Sequence, residues 1–271
     1  MSRRHLTFTC EGSELIGTLD AAAGCSGLLI VTGGNELRAG PWSCQAQIAN
    51  KVAVAGFPVF RFDRRGVGDS EGDNAGFAAS SADIAAAVAA FRANVPTLKH
   101  IVAFGNCDAA SALMLAGGAG VDAMILANPW TFESEAEPIV EAEAEPAMTP
   151  MPPSVLRRHY LKRLTDPRAI WRLLTGTVQL GKMASSLVDA ARRDGATGSL
   201  AQQLAEAVAG FGGAVTILLA ENDRTAQAFK ANWDKTDSRL RSCPGASHSF
   251  VEPQARVWLQ GQILAALRSL D

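Results

Sequence analysis

The sequence predicts an α/β fold in which a mostly parallel eight-stranded sheet, flanked by helices, is interrupted by a helical insertion. Three observations predict it. Short apolar runs alternate with helical stretches through the first 130 residues, and strand–helix–strand alternation builds parallel sheets. The inner runs, such as Gly27-Leu28-Leu29-Ile30-Val31, are continuously apolar, as strands covered on both faces must be. The alternation then stops over residues 131–210 and resumes with Val215-Thr216-Ile217-Leu218-Leu219.

Taken in order, residues 4–22 read as two strands joined by a turn at Glu11-Gly12-Ser13, because glycine beside small polar residues marks tight turns. The Gly27–Val31 run gives a buried strand followed by a Gly-rich loop. A helix is expected over residues 42–55, closed by Gly56, and Phe57-Pro58-Val59-Phe60-Arg61-Phe62 is the next strand. An Ala-rich helix over 80–94 leads to a strand at Ile101-Val102-Ala103-Phe104, a helix after Cys107, and a strand at Ala123-Met124-Ile125-Leu126-Ala127. After the insertion come the Val215 strand, a short helix, a short strand at Leu240-Arg241-Ser242 and a final helix over 252–270. Residues 1–130 and 211–271 thus form one core, and 131–210 a lid.

A chain of 271 residues that is 48% hydrophobic can bury a full core. A net charge of −2 supplies no field for nucleic acid, so a small-molecule partner is expected. No stretch reaches the roughly 18 apolar residues of a membrane span, and the start of the chain has no apolar signal region. Five scattered cysteines without a CxxC pair suit a reducing, cytoplasmic setting and argue against disulfides or structural zinc. Within the lid, Glu133, Glu135, Glu137, Glu141, Glu143 and Glu145 precede Arg157, Arg158, Lys162, Arg163, Arg168 and Arg172. Such runs ordinarily form solvated faces. The functional alternative is a basic helix that holds a phosphate-bearing acyl carrier.

Phe104-Gly105-Asn106-Cys107-Asp108-Ala109-Ala110 lies where a buried strand meets a helix. That is the setting of a nucleophile elbow, G-x-S-x-G, here written G-x-C-x-A. Small residues on either side accommodate the strained central residue. A thiol suits the position, since a helix N-terminus and an adjacent imidazole favour the reactive thiolate. Cys10, Cys25, Cys44 and Cys243 have no such setting and read as space-fillers.

In this arrangement the chain order is nucleophile, acid, histidine. His5 and His100 precede Cys107 and His159 lies in the lid, so His248, after the last strand, is the expected base. The acid should follow the preceding strand, where a carboxylate can hold the imidazole tautomer. Asp223 is preferred there, with Glu221 the runner-up. The oxyanion of acyl transfer needs backbone N–H donors; these are expected from Asp108 and from Gly34 or Asn35 in the Thr32-Gly33-Gly34-Asn35 loop. Trp130 is a candidate wall of the acyl pocket, as is Trp42. No metal or organic cofactor is implied.

Phe60-Arg61-Phe62-Asp63-Arg64-Arg65-Gly66-Val67-Gly68-Asp69-Ser70-Glu71-Gly72 resembles the D-x-R-G-x-G-x-S loop of α/β-hydrolases. With Gly33-Gly34-Asn35, Leu37-Arg38-Ala39-Gly40, the Cys107 elbow and the lid segment Arg157-Arg158-His159-Tyr160-Leu161-Lys162-Arg163-Leu164, the whole chain resembles the exosortase A system-associated hydrolases. The resemblance implies the α/β-hydrolase fold, hydrolase or acyl-transfer activity with a Cys-His-Asp triad, and a setting among exopolysaccharide and protein-sorting functions. Arg38 belongs to its loop motif and would orient a polar or anionic substrate group, against a surface ion pair as the ordinary alternative. Asn106 departs from the larger residue of relatives. Three functions follow: hydrolysis of an ester or thioester, acyl transfer to a sugar or lipid hydroxyl, and a non-catalytic scaffold on an inherited fold.

Overall fold

The computed structural model describes residues 2–132 and 199–271. The acidic and basic runs of the expected lid, with His159, lie outside the described residues. The strands are β1 (Arg3–Cys10), β2 (Ser13–Asp20), β3 (Ser26–Val31), β4 (Val59–Phe62), β5 (His100–Asn106), β6 (Ala123–Ala127), β7 (Ala214–Ala220) and β8 (Leu240–Cys243). They form one eight-stranded sheet in the order β1-β2-β4-β3-β5-β6-β7-β8. β1 pairs antiparallel with β2, and β2 antiparallel with β4; the remaining pairs are parallel. This is the α/β-hydrolase fold.

The apolar runs are continuous because alternate side chains of the inner strands enter two different cores. On one face Leu29 and Val31 of β3, Ile101 and Ala103 of β5, and Met124 and Leu126 of β6 pack together. They are covered by α2 (Ser81–Asn94) and α3 (Asp108–Leu115). On the other face Leu28, Ile30, Val102, Phe104, Ala123 and Ile125 meet α1 (Cys44–Val54) and the last helix, Pro253–Arg268. The helix expected to begin at residue 42 starts at Cys44, because Trp42 and Ser43 take left-handed φ values of 46° and 59°.

α4 (Leu200–Gly210) falls in the stretch assigned by sequence to the insertion. Its Leu200, Leu204 and Val208, spaced four apart, are buried in the same core as Leu113 and Met114 of α3, as one apolar stripe of a helix should be. α5 (Arg224–Asn232) follows β7, and α6 (Pro253–Arg268) closes the chain. Strand order reverses around β3, and in such sheets ligands bind beyond the carboxyl ends of the strands at that switch point. The loops after β3, β5, β6, β7 and β8 all leave from that edge.

Candidate active site

Cys107 is the single residue between β5 and α3, with φ 62° and ψ −127°. Such a backbone is costly for a residue with a Cβ and persists only where the surroundings impose it. Here they do: its N–H donates to Ala127 O at 2.9 Å, and its carbonyl accepts from Ala110 N–H at 3.1 Å and Trp130 N–H at 3.3 Å. A Cβ on Gly105 would lie 2.7 Å from the Ala109 carbonyl carbon and oxygen and 2.9 Å from Ala110 N. The elbow therefore needs glycine at 105. At 109 the methyl of alanine is accommodated, fully buried in the core, which explains the G-x-C-x-A spelling.

His248 Nδ1 lies 2.9 Å from Asp223 Oδ2, and the same imidazole shares a cavity wall with Cys107. With Nδ1 engaged by Asp223, Nε2 is left for the sulfur. Asp223 is also the N-cap of α5, accepting from Thr225 N–H at 3.3 Å and Ala226 N–H at 3.1 Å, so its side chain is locked before the histidine arrives. Glu221 is exposed. Burial opposes the charge on His248, but its hydrogen bond to the Asp223 carboxylate and the influence of the neighbouring Cys107 sulfur outweigh it and push the imidazole up to about 10. The arrangement favours imidazolium at neutral pH.

Asn128, with a left-handed φ of 44° and no exposed surface, ties this half together and was not singled out from sequence. Its Nδ2 donates to the His248 carbonyl at 3.0 Å and to Asn106 Oδ1 at 2.9 Å. Its Oδ1 accepts from Ala220 N–H at 2.8 Å. Asn106 Nδ2 reaches the same His248 carbonyl at 3.2 Å. The Asn106 departure and the buried Asn128 thus serve one end: they fix the histidine loop. A buried polar residue directly after a strand was the available signal.

A cavity of about 310 Å³ is lined by Cys107, His248, Trp130 and residues 222–225. Trp130, in the wall of that cavity, is held by its Nε1–H to Phe132 O at 2.8 Å and by an edge contact with the Phe132 ring. Arg38 is not part of this wall. Its guanidinium is bound to the buried Asp63 carboxylate and, through Nε, to Thr18 Oγ1 at 3.1 Å. The pair differs from the surface ion pair expected as the ordinary alternative, because the Asp63 side chain is fully buried.

The expected oxyanion donors are arranged less simply. Gly34 N–H donates to the Asp108 carboxylate at 2.7 Å. Asn35 is exposed, and its side-chain oxygen accepts from Asn74 at 2.8 Å. The Asp108 N–H opens α3, where first-turn amides have no helical partner. Glu36 adds a second carboxyl, raised by burial and by Asp108, against His248 and Arg64, which lower it. Among the described residues no cluster of His, Cys, Asp and Glu has the composition of a metal site, and no helix is long and apolar enough to cross a membrane.

A strained elbow after β5 and a histidine–carboxylate pair beyond β7 and β8 define a hydrolase-type site. The alpha/beta hydrolase family profile matches residues 28–259, and the chain belongs to that family. Its fold is similar to that of an esterase from Pyrococcus furiosus, with a TM-score of 0.60 and 12% identity over 99% of this chain and 90% of that one. It is also similar to a serine hydrolase without lid from Xanthomonas campestris (TM-score 0.57, 14% identity, 100% and 95% covered). A third is the thioesterase domain from the curacin biosynthetic pathway (0.54, 14%, 97% and 100%). No curated protein matches the sequence.

Proposed function

We propose that the protein hydrolyses a carboxylic ester or thioester through a Cys107-His248-Asp223 triad and an acyl-enzyme. The observation that carries this reading is one imidazole, bonded to Asp223 at 2.9 Å, lining the same cavity as Cys107 on the strained elbow. The Cys107 thiolate attacks the carbonyl carbon and the carbonyl π pair moves to oxygen. The Asp108 and Gly34 amides receive that oxyanion. As the tetrahedral adduct collapses, the bond to the alkoxide or thiolate leaving group breaks and His248 Nε2–H protonates it. Water then gives a proton to His248 and its oxygen attacks the acyl-cysteine. The acid is released and the Cys107 thiolate restored. These steps need no further cofactor.

Thioesters and activated esters suit the site better than amides, whose leaving groups require fuller protonation. The esterase and the thioesterase domain among the similar structures support the same class. The motifs shared with exosortase A system-associated hydrolases support an acyl group from that setting, held in the cytoplasm on a small molecule or carrier.

Intact mass after brief exposure to activated esters and short acyl thioesters tests the reading. An acyl adduct is expected on the wild type, absent from Cys107→Ala and slowed at least about a hundredfold in His248→Ala, the lower end of general acid–base contributions. An adduct that survives Cys107→Ala, or none on the wild type across the panel, would sink it and favour a non-catalytic fold.

A further inference from the structure

The two glycines of the β3 loop have different reasons. Gly34 has φ +51° and open space where a Cβ would stand, so it is there for its backbone. Gly33 is not in the left-handed region. A Cβ there would lie 2.1 Å from Asp108 Oδ1, so it is there to make room for a carboxylate. The other carboxylate oxygen takes the Gly34 N–H at 2.7 Å. That oxygen sits where a substrate oxyanion must sit to use the same donor, since one N–H presents one proton.

Behind the pair stands Arg64, whose side chain is only 2% exposed. Its Nη1 donates to Ser80 Oγ at 2.7 Å and its Nη2 to Gly34 O at 2.7 Å. Nη2 is also 3.7 Å from Asp108 Oδ2, too far for a good hydrogen bond but close enough to attract the charge. The Asp108 side chain keeps 18% exposure, so one side of the carboxylate faces open space. The loop is therefore held by Arg64 through the Gly34 carbonyl, independently of where the Asp108 carboxylate lies.

We propose that the Asp108 carboxylate is the resting occupant of the oxyanion site, and that a productive substrate displaces it from the Gly34 N–H toward Arg64. The proposal rests on the acyl-transfer reading above for its second half. With the carboxylate in place, an oxyanion has only the Asp108 amide and faces a like charge. Acyl groups held firmly elsewhere in the cavity evict it; small, weakly held carbonyls do not. Asp108 is then a positioning residue that selects substrates through its side chain, while its backbone serves the chemistry.

Asp108→Ala and Asp108→Asn keep the residue 108 amide and test this. In ¹⁵N–¹H spectra the Gly34 amide proton should move upfield in Asp108→Ala, having lost a charged acceptor. The rate of Cys107 acylation by a small activated ester, divided by the rate of its alkylation by iodoacetamide, cancels any general change in thiol reactivity. That ratio should rise about tenfold in Asp108→Ala, less than the 10²- to 10³-fold attributed to one oxyanion donor. It should rise less in Asp108→Asn, which retains a neutral acceptor. An unmoved Gly34 amide, or a ratio that stays level or falls, overturns the proposal. If neither wild type nor variant acylates, the hydrolase reading fails, and the Gly34 shift alone decides whether the carboxylate occupies that amide.

Discussion

The two sides of Cys107 are held in opposite ways. On the histidine side the partners are fixed: Asp223 is locked as a helix cap, and the His248 carbonyl receives both Asn106 and Asn128. On the oxyanion side the loop is exposed, and its Gly34 amide is satisfied by the Asp108 side chain. On the function proposed above, one half is ready for chemistry as it stands, and the other must exchange a partner first. Preorganised dipoles are what make such sites effective, so selectivity has room to act only in the half that rearranges.

The sharpest way to break this contrast is at Asn128. Asn128→Leu leaves the Ala220 N–H without its acceptor and strips the Asn106 carbonyl oxygen and the His248 carbonyl of a donor each, at about 1 kcal/mol per lost partner. A left-handed backbone adds strain for leucine. Denaturant unfolding should show a loss of about 3 kcal/mol or more. Acylation should fall with it, because the histidine loop loses one of its two tethers. A loss below about 1 kcal/mol would mean the loop is held by other contacts.

Gly105→Ala comes next. The added methyl meets backbone atoms of Ala109 and Ala110 at under 3 Å, which cannot move aside as a side chain can. A cost of about 2 kcal/mol, within the range for overpacking, should appear in the same unfolding experiment, with acylation reduced because the elbow shifts.

These two positions show what was legible in the sequence and what was not. The sheet could be read because its signals are local: apolar runs for β3, β5 and β6, and turns after them. His248 and Asp223 followed from chain order along that sheet, and the choice of Asp223 over Glu221 agrees with a local cap, an aspartate directly before a helix. Asn128, Arg38 and Asp108 depend on partners 20 to 120 positions away. Nothing near Arg38 in sequence indicates that the buried Asp63 and Thr18 claim it. Nothing in Gly33-Gly34 says that one glycine makes room for a carboxylate carried on another strand's loop.

The charge state of the histidine half can be read directly. His248 is raised from 6.5 to about 10, so its contribution to stability is complete below about pH 6.5 and is lost as pH rises through about 10. Its ring resonances should titrate near 10 in the wild type. The midpoint should fall in both Asp223→Asn and Cys107→Ala, and further in the former, whose hydrogen bond is the larger raising influence. A wild-type midpoint near 6.5 would show that the three groups are not coupled as the geometry indicates.

The smallest expected effect lies on the opposite side. Asn35→Ala removes only an exposed pair with Asn74, and exposed polar contacts away from special features change stability by about 0.5 kcal/mol or less. Its backbone N–H remains, so acylation should change by less than about twofold, a difference under 0.5 kcal/mol in barrier height. A large loss of rate with normal stability would mean that the Asn35 side chain itself meets the substrate. The oxyanion loop would then share with Asp108 the task of selecting it, and its apparent looseness would be specific recognition awaiting a ligand.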